Sequence, residues 1–178
     1  MKFRTLVSLL ILSNLVSCSE STARRPKRRG TTNFYKEVIQ NNKKLNRLEK
    51  NKLESWIKED SIHEYQESTS GYWYYYEKKD SIQTITPKVA DVVEIEFDIK
   101  EINGAVIYNK MKRFYKVDKE DFIPALQDGI KLMKKGETII FVIPSYRAFG
   151  VSGDGNKIGI NQPIKSTVKL IDIKTNHQ

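Results

Sequence analysis

The stretch Gly136–Gly150, GETIIFVIPSYRAFG, constrains the chain more than any other. Gly136-Glu137 is a turn signal. Thr138 to Ile143 is β-branched and aromatic, the composition of a buried strand. Pro144 has no N–H for a ladder and so ends that strand. The following loop carries two aromatics, Tyr146 and Phe149, and closes on Gly150. Upstream, Asp121–Met133 (DFIPALQDGIKLM) reads as a short helical segment that runs into the Gly136 turn.

The remaining strands follow from their own patterns. Between Asp91 and Ile99, Val93, Ile95, Phe97 and Ile99 alternate with Glu94, Glu96 and Asp98. That is a half-buried strand with one wet face. Asn103-Gly104 signals a hairpin. Val106-Ile107-Tyr108 returns from it, Arg113–Val117 reads as a further short strand, and Ser166–Lys174 closes the sheet. The run Tyr72-Trp73-Tyr74-Tyr75-Tyr76 also reads as a strand, packed in the core or at an edge, with an exposed contact surface as the other reading. Strands, one helix and more strands imply an α+β fold, an antiparallel sheet curled around a short helix.

The 178 residues hold one ordinary domain plus extensions. Residues 1–18, MKFRTLVSLLILSNLVSC, begin with Lys2 and Arg4 and continue with an apolar run from Leu6 to Val16, too short for a stable span. The run ends Leu15-Val16-Ser17-Cys18, a lipobox pattern: apolar, any, small, cysteine. The single cysteine of the chain falls there. Residues 1–17 are therefore read as a lipoprotein signal peptide and Cys18 as the lipidated residue. An ordinary signal peptide or a buried helix with a chance cysteine is the bland alternative. Several acyl chains anchor stably where one does not. Ser19 at the next position implies outer-membrane sorting, with the protein facing the periplasm.

Residues 18–32 carry Arg24, Arg25, Lys27, Arg28 and Arg29 and little apolar surface, which predicts a flexible basic tether. A solvated linker and attraction to anionic headgroups both fit it. The net charge is +9 for the whole chain, and the excess is concentrated in this segment rather than spread over a binding face. No aromatic interleaves the charges, so a nucleic-acid partner is not expected. Asn33–Asp60 reads as a helix capped by Thr32 or Asn33, with Phe34, Val38, Leu45, Leu48, Leu53, Trp56 and Ile57 on one half of the wheel. Residues 33–65 form this helical extension, which packs on its own domain or on a second copy. Residues 66–178 form the main domain.

One cysteine and two distant histidines, His63 and His177, offer no zinc site, and no metal or cofactor is expected. The glycine-rich segment Gly150–Gly159 opens no helix and lacks a Gly-Lys-Ser/Thr step, so it is not read as a phosphate loop.

Gly129, Met133, Gly136, Glu137, Ile143, Pro144, Ala148, Phe149 and Gly150 resemble, in order and spacing, the signature of the FKBP-type peptidyl-prolyl cis-trans isomerases. With the N-terminal features, the chain is similar to FKBP-type lipoproteins associated with gliding motility. The resemblance implies an FKBP-like curved antiparallel sheet wrapped around a short helix. It also implies an apolar prolyl pocket built from Phe97, Ile107, Tyr108, Phe122, Ile123, Leu126, Phe149 and Ile160. In the family the backbone N–H at Ile123 would bind the carbonyl after proline. Three departures stand out. Tyr108 replaces an Asp, Leu126 replaces a Trp at the pocket floor, and Phe149 replaces a Tyr. They imply an apolar bowl with less polar positioning, reduced or altered activity and weak binding of macrolide inhibitors.

The expected function is a membrane-anchored isomerase assisting the folding of proline-containing envelope proteins, linked to gliding motility or its associated secretion machinery. The alternative is a non-catalytic FKBP-like scaffold in an envelope lipoprotein complex. Oligomeric state is not legible.

Overall fold

The computed structural model describes residues 31–175. Residues 1–30, on which the expectations of a signal peptide, of lipid on Cys18 and of a basic tether fall, lie outside the described residues. Helix α1 (Thr31–Glu59) is followed by strands β1 (Gln66–Glu67), β2 (Trp73–Lys78), β3 (Val92–Lys100) and β4 (Val106–Lys116). Helix α2 (Pro124–Ile130), strand β5 (Thr138–Ile143), a single 3-10 turn (Ser145–Arg147) and strand β6 (Ile164–Lys174) complete it. The described strands form one sheet in the order β1-β2-β5-β6-β3-β4, every neighbouring pair antiparallel. The α+β expectation holds.

All of β5 is buried, because both of its faces are covered. Alternate side chains of a strand point to opposite faces. Ile139, Phe141 and Ile143 join Ala125, Leu126 and Ile130 of α2 in the main core. Val142, on the other face, packs with Trp73 of β2 and with Leu53, Trp56 and Ile57 of α1.

The same parity resolves the aromatic run. Tyr72, Tyr74 and Tyr76 belong to the main core, while Trp73 meets α1 and Tyr75 stacks on His63 with centroids 4.3 Å apart. Tyr72, Trp73 and Tyr75 are buried, so packing, not exposure, accounts for the run. Beyond the end of α1, Asp60 accepts hydrogen bonds from the Tyr65 hydroxyl (2.9 Å) and the Ile62 N–H (3.1 Å).

The chain divides into two units after Ile39. In the first, Phe34, Tyr35, Val38 and Ile39 are exposed. In the second, Leu45 and Leu48 are exposed while Leu53 is buried. Within the second unit, the apolar stripe of α1 is packed from Leu53 onward, with Trp56 and Ile57 beside it. Thr32 and Asn33, the expected cap residues, both lie within the helix as described from Thr31.

Two strand readings need correction. Val106–Tyr108 and Arg113–Val117 are not separate: β4 runs unbroken and pairs with β3 from Val106 to Lys116. Register shifts around Phe97, Ile99 and Lys100 absorb the irregularity. The same irregularity turns Asp98 inward. It is 2% exposed, pairs with Lys100 Nζ at 2.7 Å and accepts the Thr167 N–H at 2.9 Å.

Helix α2 is shorter than the Asp121–Met133 reading. Pro124 occupies its first turn, where a missing N–H costs nothing. Gly136 then takes φ +88, a conformation in which a side chain is strained. Glu137, 1% exposed, secures this turn. Its carboxylate accepts the N–H of Asp80 at 3.0 Å and of Lys134 at 2.8 Å, so the buried charge is hydrogen-bonded on both oxygens.

Candidate functional site

An open cavity of about 450 Å³ lies where β3, β4, the start of α2 and the loop after β5 meet. Phe97 and Ile99 reach it from β3, and Tyr108, Met111 and Arg113 from β4. Asp121, Phe122, Ile123 and Pro124 lead into α2, and Ala148, Phe149 and Asp154 come from the long loop. Its wall is mainly apolar. The Phe97 and Phe122 rings meet edge-to-face at 5.1 Å and 84°, and Phe122 also packs 5.4 Å from the Tyr115 ring. The Arg113 guanidinium lies 4.8 Å from the Phe122 centroid and donates to the Asp121 carbonyl at 3.0 Å. That pair fixes a cation and an aromatic face at the rim. The Ile123 carbonyl is taken by the N–H groups of Leu126 and Gln127 at 2.9 and 3.0 Å.

The polar group expected to be missing is present in another form. The Tyr108 hydroxyl donates to Asp154 Oδ2. Asp154 Oδ1 accepts the N–H of Asn156 at 2.9 Å and of Ile158 at 2.8 Å. The resemblance led to an acid on the strand and a hydroxyl on the loop; here the strand carries the hydroxyl and the loop the acid. Phe149 does lack a hydroxyl, but the rim keeps its donor–acceptor pair. The Tyr108 hydroxyl, with backbone N–H groups behind it, holds Asp154 below the usual carboxylate range. The carboxylate in turn raises Tyr108 above its ordinary value.

The folded pKa of Asp154 lies below its unfolded value of 3.8. Its stabilising effect is therefore complete above that value and is lost as pH falls through the folded one. Tyr108→Phe is expected to shrink this acid-labile part. The check is the difference in melting temperature between about pH 5 and about pH 3; a wild-type-sized difference in the variant would rule out the pair.

Five of the eight expected pocket residues line the cavity: Phe97, Tyr108, Phe122, Ile123 and Phe149. Three do not. Ile107 is half-buried against the core while its neighbour Tyr108 takes the wall. Leu126 is 0% exposed and belongs to the core cluster. Ile160 is 70% exposed. Asp154 knots the loop, its N–H donating to the Ile158 carbonyl at 3.1 Å, and this draws Ile158 inward in place of Ile160. Ile158 is 3% exposed and joins the core.

Ile99, Met111, Arg113, Asp121, Pro124, Ala148 and Asp154 were missed. Ile99 was legible as the next inward residue after Phe97. Met111 and Arg113 follow from reading β4 as one strand. Asp154 left no sequence signal, because its place depends on the loop's fold.

A curved antiparallel sheet packed on one short helix, with an aromatic bowl at its end, defines an FKBP-like fold. FkpA of Escherichia coli has this fold, with a TM-score of 0.60 at 18% identity over 99% of this chain and 84% of that one. A peptidyl-prolyl cis-trans isomerase of Pseudomonas syringae gives 0.56 at 17% over 79% and 96%. The three FKBP domains of wheat FKBP73 give 0.54 at 24% over 60% and 46%. In sequence, the chain is 29% identical over 139 residues to a Neisseria meningitidis protein described as a probable FKBP-type peptidyl-prolyl cis-trans isomerase, FkpA. The match covers 76% of this chain, which spans about half (50%) of that curated relative's length. The model of the FKBP-type peptidyl-prolyl cis-trans isomerase family matches residues 83–171. The chain belongs to this family.

Proposed function

We propose that the protein is a peptidyl-prolyl cis-trans isomerase tethered to the cell envelope through lipid on Cys18. On this reading it speeds the folding of proline-containing envelope proteins, including components of gliding motility or its associated secretion machinery. The observation that carries the catalytic part is the convergence of Phe97, Phe122, Ile123 and Phe149 on one open apolar cavity. The lipobox and the outer-membrane, periplasm-facing location rest on residues 1–19 of the sequence alone. Among the described residues no helix is long and apolar enough to cross a membrane.

The reaction needs no covalent intermediate. Its barrier is the loss of amide resonance, about 18–20 kcal/mol. The twisted amide has less charge separation than the planar one, so an apolar wall favours it over water. The aromatic faces hold the prolyl ring in that shape. The Ile123 N–H is the donor for the carbonyl after proline. The Arg113 and Tyr108–Asp154 pairs at the rim orient the flanking backbone. A 10⁴-fold acceleration needs only about 5.5 kcal/mol of such preference. Uncatalysed Xaa-Pro exchange takes tens of seconds or more, slow enough to limit folding. Macrolide inhibitors that use the strand acid and loop hydroxyl are expected to bind weakly, since both positions have changed.

One observation favours a second reading, a non-catalytic scaffold: Leu45 and Leu48 are exposed on α1. Magnetisation-exchange NMR on Xaa-Pro peptides with the full chain separates the two. Acceleration across several residues before proline supports the isomerase. None, with the protein folded, supports the scaffold.

A further inference from the structure

We infer that Glu49 of α1 is a positioning residue for the isomerase reaction, acting through Ser145 on the loop that carries Ala148 and Phe149. The inference rests on the isomerase reading above and adds a residue from outside the cavity wall.

Glu49 precedes Leu53 by four residues, so the two share one face of α1. Leu53, 3% exposed, docks that face on Trp73 and Val142. Glu49 is thereby presented to the chain just after β5. Its Oε1 accepts the Ser145 N–H at 2.6 Å, and its Oε2 accepts the Ser145 hydroxyl at 2.6 Å. Both bonds are charge-assisted and form a two-point grip.

Ser145 is 2% exposed. A residue so buried, past the last ladder position of β5 at Ile143, must find acceptors elsewhere. α1 supplies them. The grip then passes along the loop. The Ser145 carbonyl accepts the N–H of Ala148 at 2.9 Å and of Gly150 at 2.8 Å. These two donors bracket Phe149 in sequence. The Gly150 carbonyl accepts the Asn161 N–H at 2.9 Å, which extends the chain of bonds to the far side of the long loop. On another side, Arg147 pairs with Asp128 of α2 at 2.5 Å. The backbone around Phe149 is thus held from α1 by Glu49 and from α2 by Asp128. Glu49 is not among the residues lining the aromatic cavity, so it positions and does not react.

Steady-state isomerisation of an Xaa-Pro peptide by the full chain tests this, at a temperature where every variant is folded. Glu49→Ala is expected to lower kcat/KM by about fivefold to a hundredfold, chiefly in kcat, as a displaced wall residue would. Glu49→Gln is expected to recover most of the loss, since its amide can accept the Ser145 N–H and donate to the hydroxyl. Ser145→Ala, which removes one leg only, is expected to fall between and serves if Glu49→Ala does not fold. Tyr65→Phe is the stability control. It removes a hydrogen bond to Asp60, and should lower the melting temperature while leaving kcat/KM within about twofold. Glu49→Ala with a lower melting temperature but kcat/KM within about twofold of wild type overturns the inference, as does failure of the Gln rescue. A wild type that accelerates nothing overturns the isomerase reading itself, and this inference with it.

Discussion

Phe149→Ala is expected to lower kcat/KM for Xaa-Pro isomerisation by about tenfold or more while leaving the fold intact. Phe149 lines the cavity and is only partly buried against the core, so its ring is available to a bound prolyl group. A phenyl face closing on that ring removes on the order of 60 Å² of apolar surface, about 1.5 kcal/mol at about 25 cal/mol per Å². That corresponds to roughly a factor of ten. A larger effect is expected if the ring also shapes the twisted amide, because contacts made only in the transition state act on kcat. Truncating a half-buried ring costs about 1–2 kcal/mol of stability, a melting shift of several degrees at most for a domain of this size. Kinetics and calorimetry on the same samples separate the two effects. An unchanged kcat/KM in an active protein would move the site away from this cavity.

Gly129→Ala is expected to destabilise the protein by up to about 2 kcal/mol, although alanine is the better helix former. A Cβ at Gly129 would sit 2.3 Å from Phe141 Cε1 and 2.6 Å from its Cζ. Phe141 is 0% exposed, with Tyr72 and Tyr74 rings at 5.9 and 6.2 Å, so its ring has no empty space to enter. The helix must then move off the sheet. Overpacking of this kind costs about 1–3 kcal/mol or more, against about 1 kcal/mol gained from helix propensity. Pro124 and Ile123 at the head of α2 line the cavity, so isomerisation should weaken too. Urea unfolding is the check: a lower midpoint at unchanged slope is the expected result. Phe141→Leu in the same chain should return part of the loss. A midpoint at or above wild type would show that the glycine is not a packing requirement.

The main strands and the short helix were legible because each carries its own signal. Phe97, Phe122 and Phe149 could be named because the resemblance to the family carried them over residue by residue. Ile160 could not be placed, because nothing in Gly150–Gly159 says which isoleucine turns inward. Asp154 decides that by bonding to Ile158 on both sides. The Tyr108 and Phe149 departures suggested a loss of polar groups, since a one-dimensional comparison cannot see that a loop acid meets a strand hydroxyl.

The sequence by itself determined what depends on neighbours along the chain. That includes the alternation of β3, the apolar run of β5, the stop at Pro144, the turn at Gly136 and the apolar stripe of α1. These are properties of period and local backbone chemistry. Tertiary structure alone decided which part of that stripe is covered. It also decided that Asp98 turns inward at a bulge, that Tyr108 finds Asp154, and that Glu49 grips Ser145. Each joins residues far apart in the chain, and each follows from where the folded sheet brings them together; for Asp98 and Ser145 the residue is also a buried polar group that must be satisfied. Local pattern carries no record of that distance.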